Sequence, residues 1–314
     1  MVAKTSAPRA YFLAMAVLLP LLALGGGFHF QQQHVSLQVA APILIAILLE
    51  GAMFFSMGND SVRRWWRPWM VAASVGLPAL LVGANPAVLV ISSVLAYWYV
   101  VLPRRGWVDA GYVLLWSALT LGKVSQMLYP GVVARIPLSI LGELAWIRIV
   151  IWSVMEVRKQ EGLGFGFVPS RREAIIGIRW FLMFLPVGGL VGWAIGWAHL
   201  RPAPWNAGKM ALTGFGTFLG IFVFVALREN FVLRGMLLQW MTGWMRSSGR
   251  AQITVALLCG LGHLPFRQFP NWRFAIIAAL AHYVYGRAYL EAGSLRAAMV
   301  CHALVVATWR VFLV

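Results

Sequence analysis

Apolar runs recur from one end of this chain to the other, separated by short polar breaks in which arginine, glycine and proline collect. A helix needs about 20 mostly apolar residues to cross the ~30 Å hydrocarbon core of a bilayer. Such runs are read at 10–28, 37–56, 69–83, 86–103, 107–121, 136–156, 175–197, 209–227, 251–266, 274–290 and 295–313. Backbone groups in lipid must find partners within their own segment, so each run is expected to be helical. No alternating strand pattern signals a barrel. The expected fold class is therefore all-α, a polytopic transmembrane helical bundle of about 10–11 spans.

Two breaks in the pattern matter for organisation. The stretch from Lys209 to Met245 is too long for one upright crossing, at about 55 Å for 1.5 Å per residue. It must bend, tilt or continue along the interface, and Gly235 is the expected bend. The longest polar stretch, Glu156 to Glu173, contains Gly162, Gly164, Gly166 and Pro169 and reads as a cytoplasmic linker. The expected domains are an N-terminal transmembrane bundle over 1–160, a linker over 161–174 and a C-terminal core over 175–314. No internal repeat is evident.

Composition agrees with the pattern. The 314 residues are 61% hydrophobic and 11% charged, with a mean hydropathy of +0.78, where a soluble domain carries about 25% charge. The formal net charge of +17 would suggest nucleic acid in a soluble protein. In a membrane protein it has a plainer source, since Lys and Arg decorate cytoplasmic loops, and no nucleic-acid partner is expected. Arg63, Arg64 and Arg67, then Arg104 and Arg105, then Arg158, Lys159, Arg171 and Arg172 fall on one side of the expected spans. That bias places the N-terminus in the cytoplasm of a cell inner or plasma membrane. Lys123, Arg135, Arg201 and Lys209 are exceptions to it. The first run follows Lys4 and Arg9 and is read as an uncleaved span, with a signal peptide ending near Ala23-Leu24-Gly25 as the alternative. Many of the sixteen Trp, among them Trp65, Trp66, Trp69, Trp107 and Trp205, fall near span ends as interfacial anchors do.

Acids inside apolar runs cost insertion energy and invite a functional reading. Glu50, Glu143 and Glu229 qualify. Glu143 lies five residues before Arg148 and is expected to pair with it, whereas Glu50 has no evident local partner. Glu229 stands in Arg-Glu-Asn-Phe-Val-Leu-Arg-Gly, with Arg234 available to hold it ionised or to anchor the helix end. His263 and His302 each sit on a later apolar run, and both cysteines lie near them: Cys259 four residues before His263, Cys301 next to His302. A further intramembrane histidine, His282, is read as a packing residue. A carboxylate and two imidazoles meeting in a dry cavity would supply a general base and two hydrogen-bonding rings.

The order Glu229-Asn-Phe-Val-Leu-Arg234-Gly, then Cys259-Gly-Leu-Gly-His263, then Gly293-Ser-Leu-Arg-Ala-Ala-Met-Val-Cys-His302 resembles the CAAX protease and bacteriocin-processing (CPBP) family of intramembrane glutamic endopeptidases. The resemblance covers roughly residues 210–310. It implies that Glu229 activates water, that His263 helps position and deprotonate that water, that His302 stabilises the oxyanion and that Arg234 is an anchor. It also implies metal-free catalysis on a membrane-associated peptide or protein substrate.

Three positions depart from the family pattern of Glu-Glu-x-x-x-Arg, Phe-x-x-x-His and His-x-x-x-Asn/Asp. Asn230 replaces the second glutamate, Cys259 the phenylalanine, and Val306 the final Asn or Asp. Thr308 or Asn230 is the candidate replacement for the missing donor.

Several readings compete with this one. Zinc held by Glu229, His263, His302 and a cysteine is an alternative. So is a catalytically silent scaffold, or a proton- or ion-coupled transporter using the intramembrane acids and histidines. The absence of His-Glu-x-x-His and of Gly-x-Ser-Gly speaks against zincin and rhomboid-like types. The off-centre positions of Asp60 and Asp109 speak against an aspartyl type.

Overall fold

A computed structural model describes residues 8–199 and 206–313; Lys4, Arg201 and Trp205, named above, lie outside them. The described residues are mostly helical with almost no strand, and the chain is a polytopic all-α bundle. It divides into two compact units, Met1–Glu161 and Gly162–Val314.

The first unit contains α1 (Pro8–Gln32), α2 (Leu37–Ser56), α3 (Asp60–Arg63), α4 (Pro68–Ala73), α5 (Gly76–Leu81), α6 (Ala87–Val101), α7 (Gly106–Leu121), α8 (Val124–Leu128) and α9 (Ser139–Trp152). A π-helical turn, Ser153–Val157, extends α9. The only strands among the described residues are Val132–Val133 and Ile136–Pro137. They form a minimal hairpin whose two turn residues, Ala134 and Arg135, have positive φ, as a two-residue hairpin turn demands. The run read at 136–156 consequently starts its helix at Ser139.

α9 packs against α2 and α6, and every residue from Ala145 to Trp152 is buried. A helix apolar all round belongs at a core. Arg148 is the exception within it, and its partner differs from the expected one. Nε and Nη2 donate to Glu50 Oε1 and Oε2 at 2.8 and 3.0 Å, and Nη1 donates to Ser74 Oγ at 2.7 Å. Five residues of α-helix turn a side chain by about 140°, so Glu143 faces elsewhere and accepts from Ser125 Oγ. The partner of Glu50 comes from another helix, which local spacing does not reveal.

The second unit opens with the polar stretch. Leu163 is buried, and its carbonyl accepts from the Leu295 N–H. Ser170 and Glu173 then form a reciprocal capping box that starts α10 (Arg171–Ala194). A continuous helix follows from Ala207 to Met245, capped by the Asn206 side chain. It alternates α11 (Ala207–Gly220), a π-helical stretch (Ile221–Ala226), α12 (Leu227–Asn230), a second π-helical stretch (Phe231–Leu237) and α13 (Leu238–Met245). Gly235, the expected bend, is buried inside the second π stretch, and the helix runs through it. α14 (Ser248–Gly262), α15 (Trp272–Ala292) and α16 (Leu295–Phe312) complete the unit. Gly293, left-handed at φ 63°, ends α15, and the Ser294 side chain caps α16 one residue later. So short a link folds α16 back against α15.

Among the described residues, five helices are long and apolar enough to cross a bilayer: Tyr11–Gln32, Leu37–Ser56, Arg171–Ala194, Ala207–Met245 and Leu295–Phe312. The other expected spans form helices that are shorter, such as α6 and α14, broken, such as α4–α5, or more polar, such as α15 with Arg273, Arg287 and Glu291. Trp65, Trp69 and Trp107 are exposed as anchors would be, whereas Trp146 and Trp152 belong to the α9 core. The chain is an integral membrane protein.

Candidate active site

The α12 turn is a four-residue α-helical island between two π-helical stretches. A π-turn widens the helix and displaces the side chains after it, and such insertions gather at functional sites. Here they flank Glu229. Its side chain keeps 24% exposure, while Asn230 and Arg234, from the same helix, have none.

Two histidines face one oxygen of that carboxylate. His282 Nε2, from α15, lies 3.6 Å from Glu229 Oε2. His302 Nε2, from α16, lies 4.0 Å from the same atom. His263 caps the C-terminus of α14, and its ring centroid is 5.6 Å from that of His282. The His282 and His302 centroids are 5.9 Å apart. Tyr285 stacks on His302 at 4.5 Å and meets His282 edge-on at 5.3 Å.

Hydrogen-bond partners set which ring nitrogen carries a proton. His263 Nδ1 is 2.7 Å from the Cys259 carbonyl. A carbonyl only accepts, so Nδ1 donates and the neutral ring keeps its lone pair at Nε2. The Asn230 amide nitrogen donates to the Ala226 carbonyl at 2.6 Å and faces His302 Nδ1 at 3.4 Å. With both amide hydrogens so directed, His302 Nδ1 accepts and Nε2 carries the proton. One ring thus offers an acceptor and the other a donor. Asn230, weighed above as a substitute donor, is already committed to these two partners.

Arg234 donates to the His282 carbonyl at 2.6 Å, not to Glu229. Its guanidinium sits 5.7 Å from the Tyr285 ring centroid. It grips the backbone of α15 behind the site, an anchor in the geometric sense. The Gln252 amide, from α14, donates to the His282 and Tyr283 carbonyls at 3.2 and 2.8 Å. A Cβ on Gly286 would meet the Gln252 Nε2 atom at 1.8 Å, so this approach requires glycine.

The structure therefore brings Glu229 and His302 together, sets His263 beyond His282, and holds Arg234 one layer back. His282 is the residue that spacing missed. It lies one helical turn before Gly286 and three residues before Tyr285, a cluster that looks like ordinary packing until α15 and α16 are placed side by side. Among the described residues no group of three or more His, Cys, Asp or Glu side chains is arranged to hold a metal ion. Cys259 meets His263 through its carbonyl, not its thiol.

Residues 211–308 match the Rce1-like family of type II CAAX prenyl endopeptidases. The match is consistent with the CPBP resemblance read from the motifs. The Rce1-like segment contains Glu229, His263, His282 and His302 and lies wholly within the second unit. No curated protein and no solved structure matches the chain.

Proposed function

We propose that the protein is an intramembrane glutamic endopeptidase that hydrolyses a peptide bond in a membrane-associated protein or peptide. The observation that supports this best is the convergence of two imidazoles, His282 and His302, on one oxygen of a partly exposed carboxylate, Glu229, inside an apolar helical unit.

In this reading Glu229 takes a proton from water, and the water oxygen bonds to the scissile carbonyl carbon. His263 Nε2, with its lone pair free, accepts the other water O–H and orients the attack. The His302 Nε2–H donates to the oxyanion that forms on the carbonyl oxygen, where scarce water strengthens the bond. Collapse breaks the C–N bond, and the proton on Glu229 passes to the leaving amine. Arg234, in the π-helical stretch after α12, ties that helix to α15 through the His282 carbonyl. No metal takes part in these steps. The printed description of the matching family makes a prenylated C-terminal peptide one candidate substrate class, and leader peptides and sorting-signal tails are others under the resemblance. We place the chain in an inner or plasma membrane with its N-terminus cytoplasmic, on the strength of the arginine bias.

The test is to compare membrane-protein termini in cells carrying the wild type and cells carrying Glu229→Gln at matched expression. Specific termini should disappear with Glu229→Gln and again with His263→Ala and His302→Ala. Unchanged termini, with a deletion phenotype rescued equally by wild type and Glu229→Gln, would replace this reading with a scaffold or transporter.

A further inference from the structure

We propose that His282 is a positioning residue for Glu229, holding carboxylate oxygen Oε2 so that Oε1 faces the water. This rests on the endopeptidase reading above and adds to it a division of labour between two imidazoles.

Four observations support it. His282 Nε2 is the nearer of the two ring nitrogens that address Oε2, at 3.6 Å against 4.0 Å for His302. A carboxylate oxygen only accepts, so the nitrogen facing it is an N–H. The separation is longer than a formed hydrogen bond, and such contacts commonly tighten when substrate completes the site. Second, His282 is 3% exposed, and its Nδ1 has no hydrogen-bond partner among the described residues. A ring kept only for packing would leave that buried lone pair unsatisfied where an apolar side chain would not. Third, the residue is unusually well mounted. Its carbonyl takes N–H groups from Arg234 and Gln252, both buried and each from a different helix. Gly286, one turn on, is the position that admits Gln252. Fourth, the ring stands between His263 and His302, within 6 Å of each centroid to centroid, so that it belongs to the same cluster as both.

The consequence is that His302 need not bind the carboxylate. At 4.0 Å its Nε2–H remains available to the oxyanion, while His282 fixes the base.

The full chain in lipid nanodiscs is assayed on a substrate found by the comparison of termini. His282→Phe keeps the ring volume and removes the donor. It should lower kcat about 100-fold with KM within about twofold of wild type, at an unchanged thermal midpoint. His282→Gln places an amide N–H near the former Nε2 and should recover kcat to within about 10-fold of wild type. Wild-type kcat in His282→Phe, with Glu229→Gln inactive, overturns the proposal and leaves the endopeptidase reading standing. Equal losses in both His282 variants, tracking a fall in thermal midpoint, also overturn it, because the residue is then structural. Wild-type activity in Glu229→Gln overturns the endopeptidase reading itself.

Discussion

In the N-terminal unit, Glu50 and Arg148 meet through two parallel hydrogen bonds, and Ser74 accepts a third guanidinium N–H. Asp109 accepts in the same two-pronged way from Arg158, and Arg63 bridges Asp60 and Glu156. The C-terminal unit has a closed pair of its own, Arg296 with Glu173, but its cluster at Glu229 is different. Around Glu229, the Nδ1 of His282, the Oδ1 of Asn230 and two guanidinium nitrogens of Arg234 have no hydrogen-bond partner among the described residues. The first unit has unpartnered atoms too, but they are the hydroxyls and indoles of Ser92, Tyr99, Trp146 and Trp152. Buried polar groups are nearly always satisfied in native structures, and exceptions call for an explanation. Closed pairs hold helices together. A cluster with spare donors and acceptors, and a carboxylate left 24% accessible, is equipped to receive something else.

That contrast can be broken by removing one acid from each unit. Glu229→Gln should lower cleavage by about 10³- to 10⁴-fold, the upper range for a general base, with no loss of thermal stability. A drop in thermal midpoint without a matching loss of cleavage would put Glu229 among the structural acids. Glu50→Ala should do the reverse. It strands a fully buried guanidinium, at a cost of about 3–5 kcal/mol, read as a lower midpoint in a detergent melt. Glu50→Met combined with Arg148→Met should recover most of that loss, because replacing both members of a buried pair is often neutral.

Smaller effects sharpen the picture of the open cluster. Asn230→Ala removes the N–H that faces His302 Nδ1 and lets the proton settle on the wrong ring nitrogen. Cleavage should fall about 10- to 100-fold with KM nearly unchanged, measured by steady-state kinetics; an unaltered kcat would discount the tautomer argument. Gly286→Ala drives its Cβ into the Gln252 amide. Because a flexible side chain must yield, it should cost about 1–3 kcal/mol, with a modest fall in cleavage as the His282 carbonyl loses one of its donors.

Much of this was legible in the chain. The apolar runs specify helices, since lipid leaves the backbone no other partners, and the long stretch from Lys209 was visibly too long for one upright crossing. The motif order around Glu229, His263 and His302 pointed to the segment that matches the Rce1-like family. Other features were not legible because they depend on which helices become neighbours. Glu143 and Arg148 are close in sequence but about 140° apart around their helix, and Arg148 is satisfied from α2 instead. Gly235 looks like a bend in sequence and is buried within unbroken helix.

His282 shows the limit most sharply. By itself it is one more histidine in an apolar helix, indistinguishable from a packing residue. The sequence determined that Glu229, His263 and His302 would each sit on a hydrophobic helix, because helix formation in lipid is local and obligatory. Only the tertiary structure decided that α15 would present His282 beside the carboxylate and that Asn230 would face the ring of His302. Hydrogen-bond partners from different helices are set by the rotation and depth at which those helices pack, and no spacing along a single helix encodes either.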